Sequence, residues 1–132
     1  MSQENVEEFR RVQAAYNEGD WDAALRGMDP NVVFDVTRVA PDGEVYRGYE
    51  GVKTFWRMLR DVFGELRNEP EEVLDNGDRL FTRIRLRSTG QTSGANTEDV
   101  MYQVITLHNG RAIPVAFFRD RAEALEAAGL SE

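Results

Sequence analysis

Cysteine is missing from all 132 residues. That removes disulfide frameworks, thiolate nucleophiles and cysteine-based metal sites, and a cytoplasmic location is the expectation that goes with it. Histidine occurs once, at His108. One imidazole beside a turn assembles neither a Ser-His-Asp set nor a zinc site, so no metal is expected. No apolar stretch approaches the roughly 20 residues that cross a bilayer. The opening Met1-Ser2-Gln3-Glu4-Asn5 lacks the basic start and apolar run of a signal peptide. Basic residues are outnumbered, 16 against 24 acidic, for a net charge of −8. That balance argues against a phosphate-binding face, so neither nucleic acid nor an anionic membrane is an expected partner. No Gly-rich phosphate loop follows a strand, and no cofactor is expected.

What is present is periodicity. Val6, Phe9, Val12 and Tyr16 recur at steps of three and four, which marks one face of a helix over residues 4–18. Gly19 suits its C-terminal turn, and Asp20 caps a short second helix with Trp21, Leu25 and Met28 inward, ended by Asp29-Pro30. Residues 32–37, Val-Val-Phe-Asp-Val-Thr, read as a strand interrupted by Asp35. Pro41-Asp42-Gly43 signals a turn, and Val45 to Gly48 a short returning strand. A third helix follows over residues 50–63, with Val52, Phe55, Trp56, Leu59 and Phe63 on one face.

The second half reads as three long apolar runs. Asn76-Gly77 and Asn109-Gly110 are the pair that tolerates positive φ in a type I′ hairpin turn. The Gly/Ser/Thr-rich stretch 88–97 reads as a loop. Residues 120–128 read as a short Ala/Glu helix capped by Asp120 and closed by Gly129. No repeat or linker divides the chain, so residues 1–132 form one domain. Helices followed by an antiparallel meander give the α+β class, with a curved sheet around three helices enclosing a cavity at its open end.

Four phrases of this sequence carry a resemblance. They are Tyr16-Asn17-Glu18-Gly19-Asp20-Trp21-Asp22-Ala23, Asp29-Pro30-Asn31-Val32-Val33-Phe34, Tyr46-Arg47-Gly48-Tyr49-Glu50-Gly51-Val52, and Gly110-Arg111 with the later Asp120-Arg121-Ala122-Glu123-Ala124-Leu125. In their order and spacing the chain resembles SnoaL-like polyketide cyclases and ketosteroid isomerases of the nuclear-transport-factor-2-like superfamily. The resemblance implies a cone-shaped, cystatin-like sheet, a hydrophobic pocket and a homodimer. It does not select a reaction.

Asp35 is the leading catalytic candidate. Its place on the first strand is similar to that of the isomerases' base, and a carboxylate in an apolar cavity has a raised pKa suited to proton transfer. The isomerase oxyanion hole is incomplete. Val12 stands where its tyrosine would be, with Tyr16 one turn later. Tyr102 or Gln103 stands where its acid would be. Ketosteroid isomerase activity itself is therefore not expected.

A two-residue Asn109-Gly110 turn pairs Tyr102 with Phe117, but Pro114 marks a bulge that swaps faces beyond it. The choice between Tyr102 and Gln103 stays open. Arg119 shares parity with Val115 and Phe117, and on a cavity-facing strand would hold a carboxylate or enolate oxygen. Tyr16, Tyr46, Tyr49, Phe55, Trp56, Val115 and Phe117 are the expected pocket walls. Arg83, Arg85 and Arg87 alternate with apolar residues, as on a strand whose wet face pairs with glutamates such as Glu69, Glu71, Glu72 or Glu98. The last hairpin is apolar on both faces, which points to a second subunit packed on the outer one.

Two functions follow as expectations. One is cofactor-free acid–base catalysis, of isomerase, cyclase or hydrolase type, on a small apolar carbonyl compound or epoxide. The other is a non-catalytic dimeric domain that binds a small apolar molecule, with Asp35 ion-paired and inert.

Overall fold

The computed structural model describes residues 2–40, 42–88 and 97–130, so most of the expected loop between Ser88 and Thr97 lies outside the described residues. Helix α1 (Ser2–Asn17) and the short α2 (Trp21–Arg26) lead into β1 (Met28–Asp35) and β2 (Val45–Arg47). Helix α3 (Gly48–Phe63) precedes β3 (Leu66–Asp75), β4 (Arg79–Ser88), β5 (Thr97–His108), β6 (Arg111–Phe118) and α4 (Arg121–Ala127). The meander has four strands where the apolar runs suggest three. Gly27 closes α2 after Arg26, so Met28 begins β1 instead of ending a helix, and Asp29-Pro30 lies inside the strand. No helix among the described residues is long and apolar enough to cross a membrane.

The six strands form one curved sheet in the order β2-β1-β6-β5-β4-β3. Five pairs make four antiparallel ladders and one parallel ladder, β1 with β6, so the sheet is mixed and not wholly antiparallel. Its inner face and helices α1 to α3 bury one core. Val32, Val52 and Ile84 are fully enclosed there, with Phe9, Phe34, Phe55, Trp56, Val115 and Phe117 around them. Tyr16 and Phe34 meet Trp56 edge on at 5.0 and 6.3 Å, and the Phe34 ring lies tilted 5.4 Å from Phe117. Such contacts are each worth about 0.5–1.5 kcal/mol beyond burial.

Register decides what reaches that interior. Asn109 and Gly110 have φ of 53° and 78°, the two positive values a type I′ turn requires. Beyond the turn, Leu107 pairs with Ala112 but Ile105 with Val115, so β6 carries one extra residue at Ile113-Pro114. The bulge makes Tyr102 the partner of Phe118 and Gln103 the partner of Phe117. It turns Gln103 inward and Tyr102 outward. A second bulge beside Pro70 inserts Glu71 opposite β4. The Asn76-Gly77 turn differs from its twin. Only Gly77 has positive φ there, and the Asn76 amide instead donates to the Ala128 carbonyl at 2.8 Å, pinning the end of α4.

The outer face is divided in two. Ala124 and Leu125 of α4, with Ala128 at its C-cap, cover Phe81, Tyr102, Val104 and Phe118. Thus the apolar outer surface that points to a second subunit is met, over β4 to β6, from within the chain. The rest is an ion ladder. Arg83 and Arg85 share Glu71 at 3.0 and 2.7 Å, Arg87 reaches Glu69 at 2.7 Å, and Arg85 and Arg87 both meet Glu98. The alternating arginines are therefore paired across strands. Exposed pairs of this kind add little stability.

Candidate functional site

A cavity of about 410 Å³ lies between the inner sheet face and helices α1 and α3. Five successive inward residues of β5, Leu107, Ile105, Gln103, Met101 and Asp99, line it. At one end stand Asn5, Glu8 and Gly110, and at the other Val39, Asp99 and Arg119. Met58, Val62 and Phe63 of α3 also line it while remaining 41%, 58% and 44% exposed, which makes an apolar lip.

The expected residues separate into two groups. Tyr16, Phe55, Trp56, Gln103, Val115, Phe117 and Arg119 all line the cavity. Asp35, Tyr102, Tyr46 and Tyr49 do not. Strand alternation explains Asp35: Phe34 and Val36 point inward, so the carboxylate between them points out. There it accepts the Thr37 hydroxyl at 2.6 Å and the Thr37 amide at 3.0 Å, and pairs with Arg38 at 3.1 Å. The Thr37 hydroxyl, followed by the Thr37 amide and Arg38, holds this carboxyl below its ordinary value, opposite to the raised pKa a buried base would need. Tyr102 packs on Phe81 at 5.7 Å beneath α4. Tyr46 packs beside Phe55 at 5.0 Å, and the Tyr49 hydroxyl donates to the Met28 carbonyl at 2.8 Å. Both brace the wall from behind.

An expected result follows for Asp35. Because its folded pKa is depressed, its contribution to stability is present above the ordinary 3.8 and is lost as pH falls through the folded value. Asp35→Asn should therefore unfold at slightly lower urea than the parent at pH 7, the gap closing near pH 2. A gap that persists unchanged at low pH would contradict this placement.

Between the charged residues at its two ends, Gln103, Gln13 and Tyr16 give the cavity neutral polar groups. Gln103 is 8% exposed. Its backbone carbonyl accepts the Thr82 hydroxyl, but its side-chain amide meets no hydrogen-bond partner among the described residues. Since no fully enclosed side-chain N or O is left unpartnered there, the amide opens onto the cavity. Gln13, also 8% exposed, is a site residue that the sequence reading does not single out. Its Oε1 accepts the Asn68 amide at 2.9 Å, Asn68 being fixed through its backbone to Asn17 by two bonds of 2.8 Å. The Gln13 Nε2 is left for the cavity. Burial pushes the Tyr16 hydroxyl up to about 12 against the pull of Arg60, so it stays a protonated donor.

At the mouth, Arg119 donates through Nε to the Val39 carbonyl at 3.2 Å and through Nη1 to Asp99 at 3.0 Å. Asp99 is likewise absent from the expected set.

The fold is shared with solved structures. TerC co-crystallised with polyporic acid is 22% identical, with a TM-score of 0.77 over 96% of this chain and 98% of that one. An NTF2-like protein of unknown function from Burkholderia pseudomallei is 23% identical, with a TM-score of 0.77 over 93% and 95%. A protein with a ketosteroid isomerase-like fold from Catenulispora acidiphila, in complex with trimethylamine, is 11% identical, with a TM-score of 0.74 over 94% and 93%. No curated protein matches the chain in sequence. The model of the SnoaL-like domain matches residues 9–118, from the first inward phenylalanine of α1 to the end of β6, and the chain belongs to that family.

Proposed function

We propose that this chain takes a small, largely apolar carbonyl compound into the cavity and activates it without a cofactor. One observation carries the reading: the Gln103 amide is buried, without a hydrogen-bond partner among the described residues, and aimed into an apolar space. A buried polar group left unpaired costs about 1–3 kcal/mol, which a ligand oxygen would recover. The cavity volume of about 410 Å³ lies within the roughly 300–1,000 Å³ of small-molecule sites. Hydrogen bonding from Gln103 would polarise the carbonyl and acidify its α C–H, with the Tyr16 hydroxyl and the Gln13 amide as further neutral donors. Glu8 and Asp99 are carboxylates bordering the cavity, at its two ends. We assign the proton acceptor to Asp99, beside Arg119. Asp35 has no part in this reading. Each chain carries a whole cavity, so a second copy is not needed to build it.

Proton transfer is visible without knowledge of the natural substrate. In D2O, the protein should speed the entry of deuterium into the methyl group of 2-acetonaphthone, followed by NMR. Gln103→Leu and Asp99→Asn should each slow that exchange by at least about tenfold, and Asp35→Asn should leave it unchanged. Binding of the ketone with no exchange above the buffer rate would overturn the catalytic part and leave a binding domain.

A further inference from the structure

The mouth of the cavity holds a cation that is only partly used. Arg119 is anchored at two points, by Val39 and by Asp99, and both of those residues line the cavity with it. Its Nη2 donates to nothing among the described residues. The Asp99 pair is weak as well as incomplete. The two side chains are 54% and 56% exposed, and their single contact is one Nη1 bond of 3.0 Å. Such a solvated pair exchanges readily for a better one. A guanidinium presents five donors in a planar fork that matches a carboxylate edge on, with two parallel bonds.

On β5 the cation touches Asp99, and Gln103 lies two inward positions further along that strand. Gln103 lies directly opposite Phe117, and Arg119 is two residues further along the chain, the first residue past the end of β6. Diagonal neighbours in an antiparallel pair are about 7–8 Å apart. That is within reach of one ring system with adjacent substituents, given the length of both side chains. The backbone thus sets Gln103 and Arg119 on a diagonal of the inner face, on either side of the Gln103–Phe117 pair, and release of Arg119 from Asp99 leaves its long side chain free to turn toward the amide.

We infer that the ligand is a flat apolar molecule bearing a carboxylate beside its neutral oxygen, the carboxylate displacing Asp99 on Arg119 while Gln103 holds the other oxygen. This rests on the cavity being a ligand site, as proposed above. It adds the charge of the ligand and its orientation, acidic edge to the mouth and apolar body toward Trp56 and Phe34. It also releases Asp99 Oδ2 from Arg119 at the moment of binding, while Oδ1 keeps the Val100 amide.

Two probes of one skeleton test it: 1-naphthol and 1-hydroxy-2-naphthoate, titrated calorimetrically against the whole chain. Hydroxynaphthoate is expected to bind at least about tenfold tighter than naphthol at low salt, an advantage that shrinks as salt is raised. Arg119→Met should erase that advantage while leaving naphthol affinity within about twofold. Asp99→Asn, which keeps the shape and removes the competing charge, should tighten hydroxynaphthoate by about threefold. Naphthol binding with no gain for hydroxynaphthoate, or an Arg119→Met variant that weakens both probes alike, overturns the inference and leaves Arg119 as a latch on Val39. Binding of neither probe overturns the cavity reading itself.

Discussion

Phe81→Ala is expected to lower the unfolding free energy by about 3–5 kcal/mol, out of a total of roughly 5–15 for a domain of this kind. Phe81 is fully buried, yet it faces away from the main core. Its ring lies 5.7 Å from Tyr102, and the Arg121 guanidinium sits 5.1 Å above it while forming a bidentate pair with Glu72 at 2.7 and 3.1 Å. Truncation leaves a void under α4, and a seven-residue helix is too short to hold itself without packing. The helix should therefore come loose with the side chain. Urea unfolding followed by circular dichroism reads the loss. Val62→Ala on the exposed lip is the contrasting control, expected within about 0.5 kcal/mol of the parent. A Phe81→Ala cost below about 1 kcal/mol would mean that α4 does not sit on this face.

That outer layer shows where the sequence stops being informative. The helices are legible because their apolar residues recur at three and four, and the type I′ turn because Asn109-Gly110 is the pair that bears two positive φ values. Strand β3 is obscured because its sequence, LRNEPEEVLD, has no apolar run. Its place is set by the ladder with β4, which brings its glutamates opposite Arg83, Arg85 and Arg87, 12 to 18 residues away in the chain. The parallel pairing of β1 with β6 is more distant still and leaves no local trace.

The site divides along the same line. Phe55, Trp56, Val115 and Phe117 follow from helical spacing and strand parity. Asp35 is readable in the sequence, but the resemblance misplaces it. One acid between two inward-facing apolar residues in a strand points outward, whatever a relative keeps at that place. Gln13 carries a signal too, since it breaks an apolar helix face of Phe9, Val12 and Tyr16. Asp99 carries none, because its meaning comes from Arg119, 20 residues on. Gln103 stays open between two faces until the Pro114 bulge settles the register.

Gln103→Glu puts a carboxyl of the same shape where ketosteroid isomerases, by resemblance, keep an acid, and its expected effect on stability depends steeply on pH. In the folded chain the new group would be buried in an apolar slot, so its folded pKa is raised above the unfolded value near 4.3. Stability is then close to that of the parent below about pH 4, where the carboxyl is protonated in both the folded and the unfolded chain. It is lost as pH rises toward the folded value, by about 1.4 kcal/mol for each pH unit that separates the folded and unfolded pKa values. With burial raising the pKa by about two pH units, net of the attraction of Arg119, the variant should be some 3 kcal/mol less stable at pH 7.5 than at pH 4, relative to the parent. Paired urea titrations of the two chains at both pH values measure that difference directly. Over the same range the protonated acid is a stronger donor than the amide it replaces. Deuterium exchange into 2-acetonaphthone should therefore rise in the variant below the raised pKa of the new carboxyl and collapse above it. A pH-independent stability difference would place position 103 in contact with bulk water. It would then remove the observation on which the cavity's polar recognition rests.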